Sequence, residues 1–228
     1  MTERYEDRCL QLKFMAGIAF ALPPLAWYIV SVLYGLPFPQ SISETATIAD
    51  ISDYLLPYCL GAFSLYSLTY SIRYAYDRLD RALSAIMFVG FFIVTVQKCA
   101  SPFITAERIG LFKVTPEVSH IIHCIGAIAG FGAMIFWIML CFTKSDKPRS
   151  EQTQRKKLRN KIYRTLGVLM IVSLLIFVVD MFGAFGEDFP VIMVIEWVML
   201  WIAAPACAIK GGLILRDKDV TKWDHVTQ

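Results

Sequence analysis

Ionisable side chains stand inside long apolar stretches of this 228-residue chain, among them His120, His123, Asp180 and Glu196. A charge in hydrocarbon is costly, so each invites a functional reading. Gln97 and Lys98 close another apolar stretch, and Ser41, Ser43 and Glu44 lie in the polar segment between the first two. His120 and His123 are three residues apart and share a helix face. Ala127 and Gly130 continue that face, and Gly126 and Gly130 form a small-xxx-small pair, GAIAG, of the kind that lets helices approach closely. Trp197 and Trp201 form an i,i+4 stripe beside Glu196, suited to core packing or to the wall of a lipid pocket.

Three chemistries are open to this set. The side chains can form a buried hydrogen-bonded network in which a histidine or Lys98 neutralises Asp180 and Glu196. They can form a polar cavity that receives a lipid headgroup. His120, His123, Asp180 and Glu196 also match the ligand types of a zinc site, whose open position would activate a water for hydrolysis or acyl transfer. The first two readings outweigh the third, so no cofactor is expected and no catalytic residue is assigned. The chain has no P-loop, no GxGxxG, no GxSxG and no HExxH. Its six cysteines (Cys9, Cys59, Cys99, Cys124, Cys141 and Cys207) include no CxxC pair and read as small apolar fillers. No doubled hydropathy pattern supports an inverted-repeat transporter, so a small-solute or ion pore is the more distant alternative.

The elements that must position these residues are membrane helices. Hydrophobic residues make up 57% of the chain and charged ones 18%, with mean hydropathy +0.55. Soluble domains are more polar than this. A net charge of +3 gives no sign of nucleic-acid binding. A span needs about 20 apolar residues. Six segments qualify, near Phe14–Leu36, Leu55–Tyr76, Ala82–Gln97, Glu117–Phe142, Leu166–Ala184 and Pro190–Leu215. The third is the shortest, so it is expected to tilt or to begin earlier. The first follows a charged stretch and is too long for a signal h-region, so it reads as a retained helix.

Lys and Arg distribution orients the chain, because basic loops stay on the cytoplasmic side. The amino-terminal tail, the second turn, the segment 143–165 and the carboxy-terminal stretch together carry 19 basic residues, and the opposite side carries 3. The expected fold is therefore all-α: a single polytopic domain of six transmembrane helices with both termini cytoplasmic. The segment 143–165 reads as a solvated topogenic loop, with anionic lipid headgroups or a protein partner as the other reading. In this orientation the histidines, Asp180 and Glu196 all fall near the outer face, at about one depth. Tyr66, Tyr70 and Tyr74 fall toward the inner face and read as an interfacial aromatic belt. Pro23, Pro24 and Pro205 are expected to kink their helices.

Three short motifs carry a family resemblance. The first outer loop reads LPFPQSISETA, containing Ile42-Ser43-Glu44-Thr45. The fourth segment contains His123-Cys124-Ile125-Gly126-Ala127, and the sixth contains Glu196-Trp197. In their order and placement these resemble the six-helix superfamily of the DRAM autophagy modulators, the FGF-receptor-activating proteins and the GPI-anchor lipid-remodelling factors. Many members carry Asp where this chain has Glu44. The resemblance implies six helices, cytoplasmic termini and a role in lipid organisation, lipid remodelling or membrane trafficking. The expected function is thus an outward-facing polar site of Ser41, Ser43, Glu44, Lys98, His120, His123, Asp180, Glu196 and Trp197 that binds or sorts lipid. Membrane lipids are the expected partners, with a second copy or another membrane protein permitted by the glycine and tryptophan stripes. The expected location is a cell membrane or endomembrane.

Overall fold

The computed structural model describes residues 16–22, 25, 29, 32–35, 52–75, 77–97, 111, 114–145, 148–180, 182–185, 191–208 and 210. Among them the structure is helical, with no strand. Five long helices are α1 (Ser52–Arg73), α2 (Arg78–Val96), α3 (Pro116–Phe136), α4 (Gln154–Asp180) and α5 (Val191–Ala208). Residues 16–22 form a further helical stretch.

Local chemistry explains the boundaries. Asp77 caps α2, its carboxylate accepting the Asp80 backbone N–H at 2.8 Å. The cap starts α2 at Arg78 rather than at Ala82, where the apolar run begins, and so lengthens the shortest segment. Thr115 caps α3, and Pro116 occupies the first turn, where its missing N–H costs nothing. α3 ends in a π-helical turn, Trp137–Cys141. Thr153 Oγ1 accepts the Lys156 N–H at 3.3 Å and so starts α4. Consequently 154–165, expected as the second half of a basic loop, are helical and continuous with the apolar part of α4. Pro205 is exposed within α5, and the helix runs on to Ala208.

α2 packs against both α1 and α3, α3 against α4, and α4 against α5. Residues 16–22 bridge the remaining gap. A Cβ at Gly17 would meet Ala204 O at 2.8 Å on α5, while the Phe20 ring lies 4.0 Å from Phe63 of α1 and 5.6 Å from Phe91 of α2. The described helices thus enclose a core of aromatic and Met side chains, among them Phe63, Met87, Phe91, Met134 and Met170.

Among the described residues three helices are long and apolar enough to cross a membrane: Arg78–Val96, Pro116–Cys141 and Gln154–Asp180. Their outer faces carry large apolar side chains. Val89 and Phe92 on α2, Ile121 and Ile125 on α3, and Val172 and Leu175 on α4 are all exposed. A surface of this kind does not suit water but suits lipid. Between helices, by contrast, small polar groups are buried. Ser64 Oγ donates to Phe88 O at 3.0 Å and Ser71 Oγ to Arg81 O at 2.9 Å, tying α1 to α2 as hydroxyls do in membrane bundles.

The GAIAG pair has its partner within the chain. A Cβ on Gly90 of α2 would fall 2.6 Å from Gly130 Cα and 2.7 Å from Gly126 O, too close to any backbone atom to fit. Gly132, two residues from Gly130, meets nothing within 4 Å. Gly90→Ala should therefore destabilise the purified protein by about 1–3 kcal/mol through forced separation of α2 and α3. Gly132→Ala should be neutral or gain up to about 1 kcal/mol from helix propensity. Unfolding in detergent with increasing dodecyl sulfate measures both, and equal behaviour of the two variants would contradict the contact.

Candidate functional site

Two polar clusters lie between α2 and α3, one at each end of the pair. The first contains the expected histidines. α2 ends at Gln97, where the backbone turns extended. Its carbonyl oxygen lies 2.7 Å from His123 Nδ1, and its Nε2 donates to Ser119 Oγ at 2.7 Å. Ser119, His123 and Gln97 are all buried. A carbonyl only accepts, so Nδ1 carries the proton of the neutral ring and Nε2 is left as an acceptor. Among the described residues Nε2 has no hydrogen-bond partner. One turn away, His120 Nε2 lies 3.6 Å from Cys124 Sγ. Glu196 of α5 is near enough to the Cys124 thiol for its charge to act there.

The expected site is therefore assembled in part. The structure groups His120 and His123 with Gln97, Ser119 and Cys124, and sets the Glu196 charge within reach of Cys124. Trp197 is half-buried and packs against the core, whereas Trp201 is 45% exposed. Asp180 is half-buried at the end of α4, and its carboxylate makes no hydrogen bond or ion pair with a described residue. Ser41, Ser43, Glu44 and Lys98 lie outside the described residues, as do Pro23, Pro24, Cys9 and Cys99. Among the described residues no group of three or more His, Cys, Asp or Glu side chains is arranged to hold a metal ion. Cys59, Cys124, Cys141 and Cys207 are free thiols, the last three buried.

The second cluster was not expected. Asp80, in the first turn of α2, has no exposed surface. One carboxylate oxygen accepts Trp137 Nε1–H at 2.6 Å, and the other accepts Tyr70 O–H at 2.8 Å. The π-helical turn supplies Trp137 and also places Cys141 beside the same carboxylate. Tyr66, Tyr70 and Tyr74 are buried, which corrects the interfacial-belt expectation: the ladder faces inward, where Tyr70 donates to the Asp80 carboxylate. Trp137 stacks edge-on to Phe142 at 4.7 Å, and the buried Lys210 ammonium lies 5.6 Å from the Phe142 ring centroid, within cation–π range. The one legible signal was Asp77-x-x-Asp80, a helix-start pattern that brings a second acid into the first turn.

At the rim, Lys144 Nζ pairs with Asp77 Oδ2 at 2.5 Å. Partial burial pushes the Asp77 carboxyl up. The Asp80 backbone N–H, the Lys144 ammonium and the Leu79 N–H outweigh it and hold the group below its ordinary value.

No protein-family model matches the chain, and neither a curated protein nor a solved structure matches it.

Two outcomes follow from these clusters. Asp80→Ala strands two buried donors at roughly 1–3 kcal/mol each and should cost about 2–5 kcal/mol. Asp80→Asn should cost less, because the amide oxygen still accepts from Trp137 while the amide NH₂ donates to the Tyr70 oxygen. Dodecyl sulfate unfolding ranks the two, and the reverse order would refute the assigned bonds. Because the folded state holds Asp77 below its ordinary value, the group adds stability above that value, and the contribution fades as pH falls through the lowered one. Asp77→Asn keeps the cap but should flatten this acid-side loss, by a small amount because the side chain is 40% exposed. Melting temperature against pH in both proteins reads the difference.

Proposed function

We propose that this chain is an integral membrane protein of six spans with cytoplasmic termini, and that its outward-facing cluster binds the headgroup of a membrane lipid. The charge asymmetry between loops supports the orientation: 19 basic residues on one side against 3 on the other. The exposed apolar faces of α2, α3 and α4 support the surrounding lipid.

One observation carries the ligand reading. His123 is fixed by Gln97 O so that Nε2 is an acceptor, inside an apolar bundle, with the Glu196 charge acting on Cys124, the next residue of α3. An acceptor and an anion together favour a ligand that donates hydrogen bonds or carries positive charge. Hydroxyl-bearing and ammonium-bearing headgroups meet that condition. The motifs at Ser43, His123 and Glu196 that resemble lipid-remodelling membrane proteins point the same way. The same Nε2 is set up as a general base, which keeps lipid hydrolysis or acyl transfer as the second reading.

The test is lipid retained by protein purified in mild detergent, identified by mass spectrometry. His123→Ala and Glu196→Gln should each lower the retained headgroup class by about tenfold, with melting behaviour kept. Retention unchanged in both folded variants would defeat the binding reading. Conversion of the retained lipid by the wild type, abolished by His123→Ala, would establish the enzymatic one. Cysteines placed in 37–54 should react with an impermeant maleimide from outside intact cells, and cysteines placed in 148–153 should not; the opposite result inverts the topology.

A further inference from the structure

A cavity of about 640 Å³ lies where the segment before α4 folds against the first turns of that helix, at the opposite end of the bundle from His123. Arg149 and Gln152 form one wall, and Lys157, Asn160, Lys161 and Arg164 line the α4 side. On α4 these fall at helical spacing, so one face of its basic half is turned into the cavity. No Asp or Glu lines it. None of Arg149, Lys157, Lys161 and Arg164 makes an ion pair or side-chain hydrogen bond with a described residue. Four cations converging on one concavity repel one another, and an anion placed among them removes that cost. A topogenic loop needs positive charge but does not need it gathered around a hollow.

Asn160 is a second and independent pointer. It is 8% exposed; its Nδ2 donates to Gln152 Oε1 at 3.2 Å, and its Oδ1 has no partner. A buried acceptor without a donor is uncommon and calls for a ligand group that supplies one. A phosphodiester alone would meet the cations but has no donor for Asn160. A hydroxyl beside the phosphate does both. The volume lies within the range of small-molecule pockets. The hydrophobic part of α4 begins at Leu166, directly after Arg164 and Thr165, so the cavity borders the apolar stretch of the helix.

We infer that this cavity binds a phosphorylated polyol, which reaches it as an inositol-phosphate lipid headgroup from the adjoining leaflet or as the free compound. The site is distinct from the His123 cluster, and its test touches neither His123 nor Glu196, so either reading can fail alone. Full-length protein in detergent is titrated with inositol bisphosphate, dioctanoyl phosphatidylinositol phosphate and inorganic phosphate at about 0.15 M salt, where surface attraction is largely screened. Both inositol probes should bind at least about tenfold tighter than inorganic phosphate. The double variant Lys157→Gln, Lys161→Gln should weaken both by about tenfold or more. Arg155→Gln, which removes an exposed charge of the same helix outside the cavity, should change them less than about twofold. Binding of the dioctanoyl lipid about tenfold tighter than the bisphosphate assigns the site to a lipid, and equal binding assigns it to the free compound. Inositol probes no tighter than inorganic phosphate, or an equal loss in Arg155→Gln and the double variant, would overturn the proposal. The substituted lysines lie on the helix surface, and an unchanged melting temperature verifies that both variants are folded.

Discussion

Gly90 stands so close to the α3 backbone that Gly126 and Gly130 occupy the place a side chain would need. That approach sets the register of the antiparallel pair along its whole length. Beside the contact the Phe91 and Phe131 rings meet at 5.2 Å, and toward the start of α2 Asp80 meets Trp137. Moving toward the end of α2, Gln97 meets Ser119 and His123. Contacts that lie later along α2 thus fall earlier along α3. A slip of one residue at the glycines would rotate both polar clusters out of contact at once. The backbone contact is therefore what lets two hydrogen-bonded sites exist at opposite ends of one helix pair. Neither site needs a direct link to the other.

The two ends solve different problems. A carboxylate without exposed surface must have its oxygens satisfied, and Asp80 achieves this with the rigid donors of Trp137 and Tyr70 inside an aromatic enclosure. Rigid aromatic donors lose little side-chain entropy on being fixed, so the arrangement is structural in character. His123 is fixed from one side only. Its Nδ1 proton is committed to a backbone carbonyl, and the opposite nitrogen is left to accept. A fully satisfied group stabilises a fold, whereas a half-satisfied one is available to a ligand. That difference is why the functional reading rests on the histidine end.

Much of this was legible in the amino acids. Apolar run length located the helices, and the GAIAG pair announced a close approach. His120, His123 and Glu196 stood out because they interrupt hydrocarbon-like sequence. Asp80 did not stand out, because it lies outside the apolar run that marked its helix; only capping by Asp77 extends α2 far enough to bury it. The tyrosines misled for a related reason. Helical spacing reports a shared face but not which way that face turns. Asp180 was grouped with the histidines by depth alone, yet depth fixes one coordinate of three.

The basic stretch before Leu166 shows how secondary structure changes the meaning of charge. Read as a loop, Lys157, Lys161 and Arg164 are interchangeable positive residues whose sum resists translocation. Capped by Thr153 and wound into α4, they acquire fixed angular positions. Asn160, Tyr163, Gly167 and Met170 continue along the buried stripe of the same helix. Because the helix runs unbroken into the apolar stretch, the packing that seats Met170 against the core also fixes where the lysines point. Positional order is thus transmitted from the core to the charged face through one rigid rod. A set of charges becomes a site when its geometry is held by something other than the charges themselves.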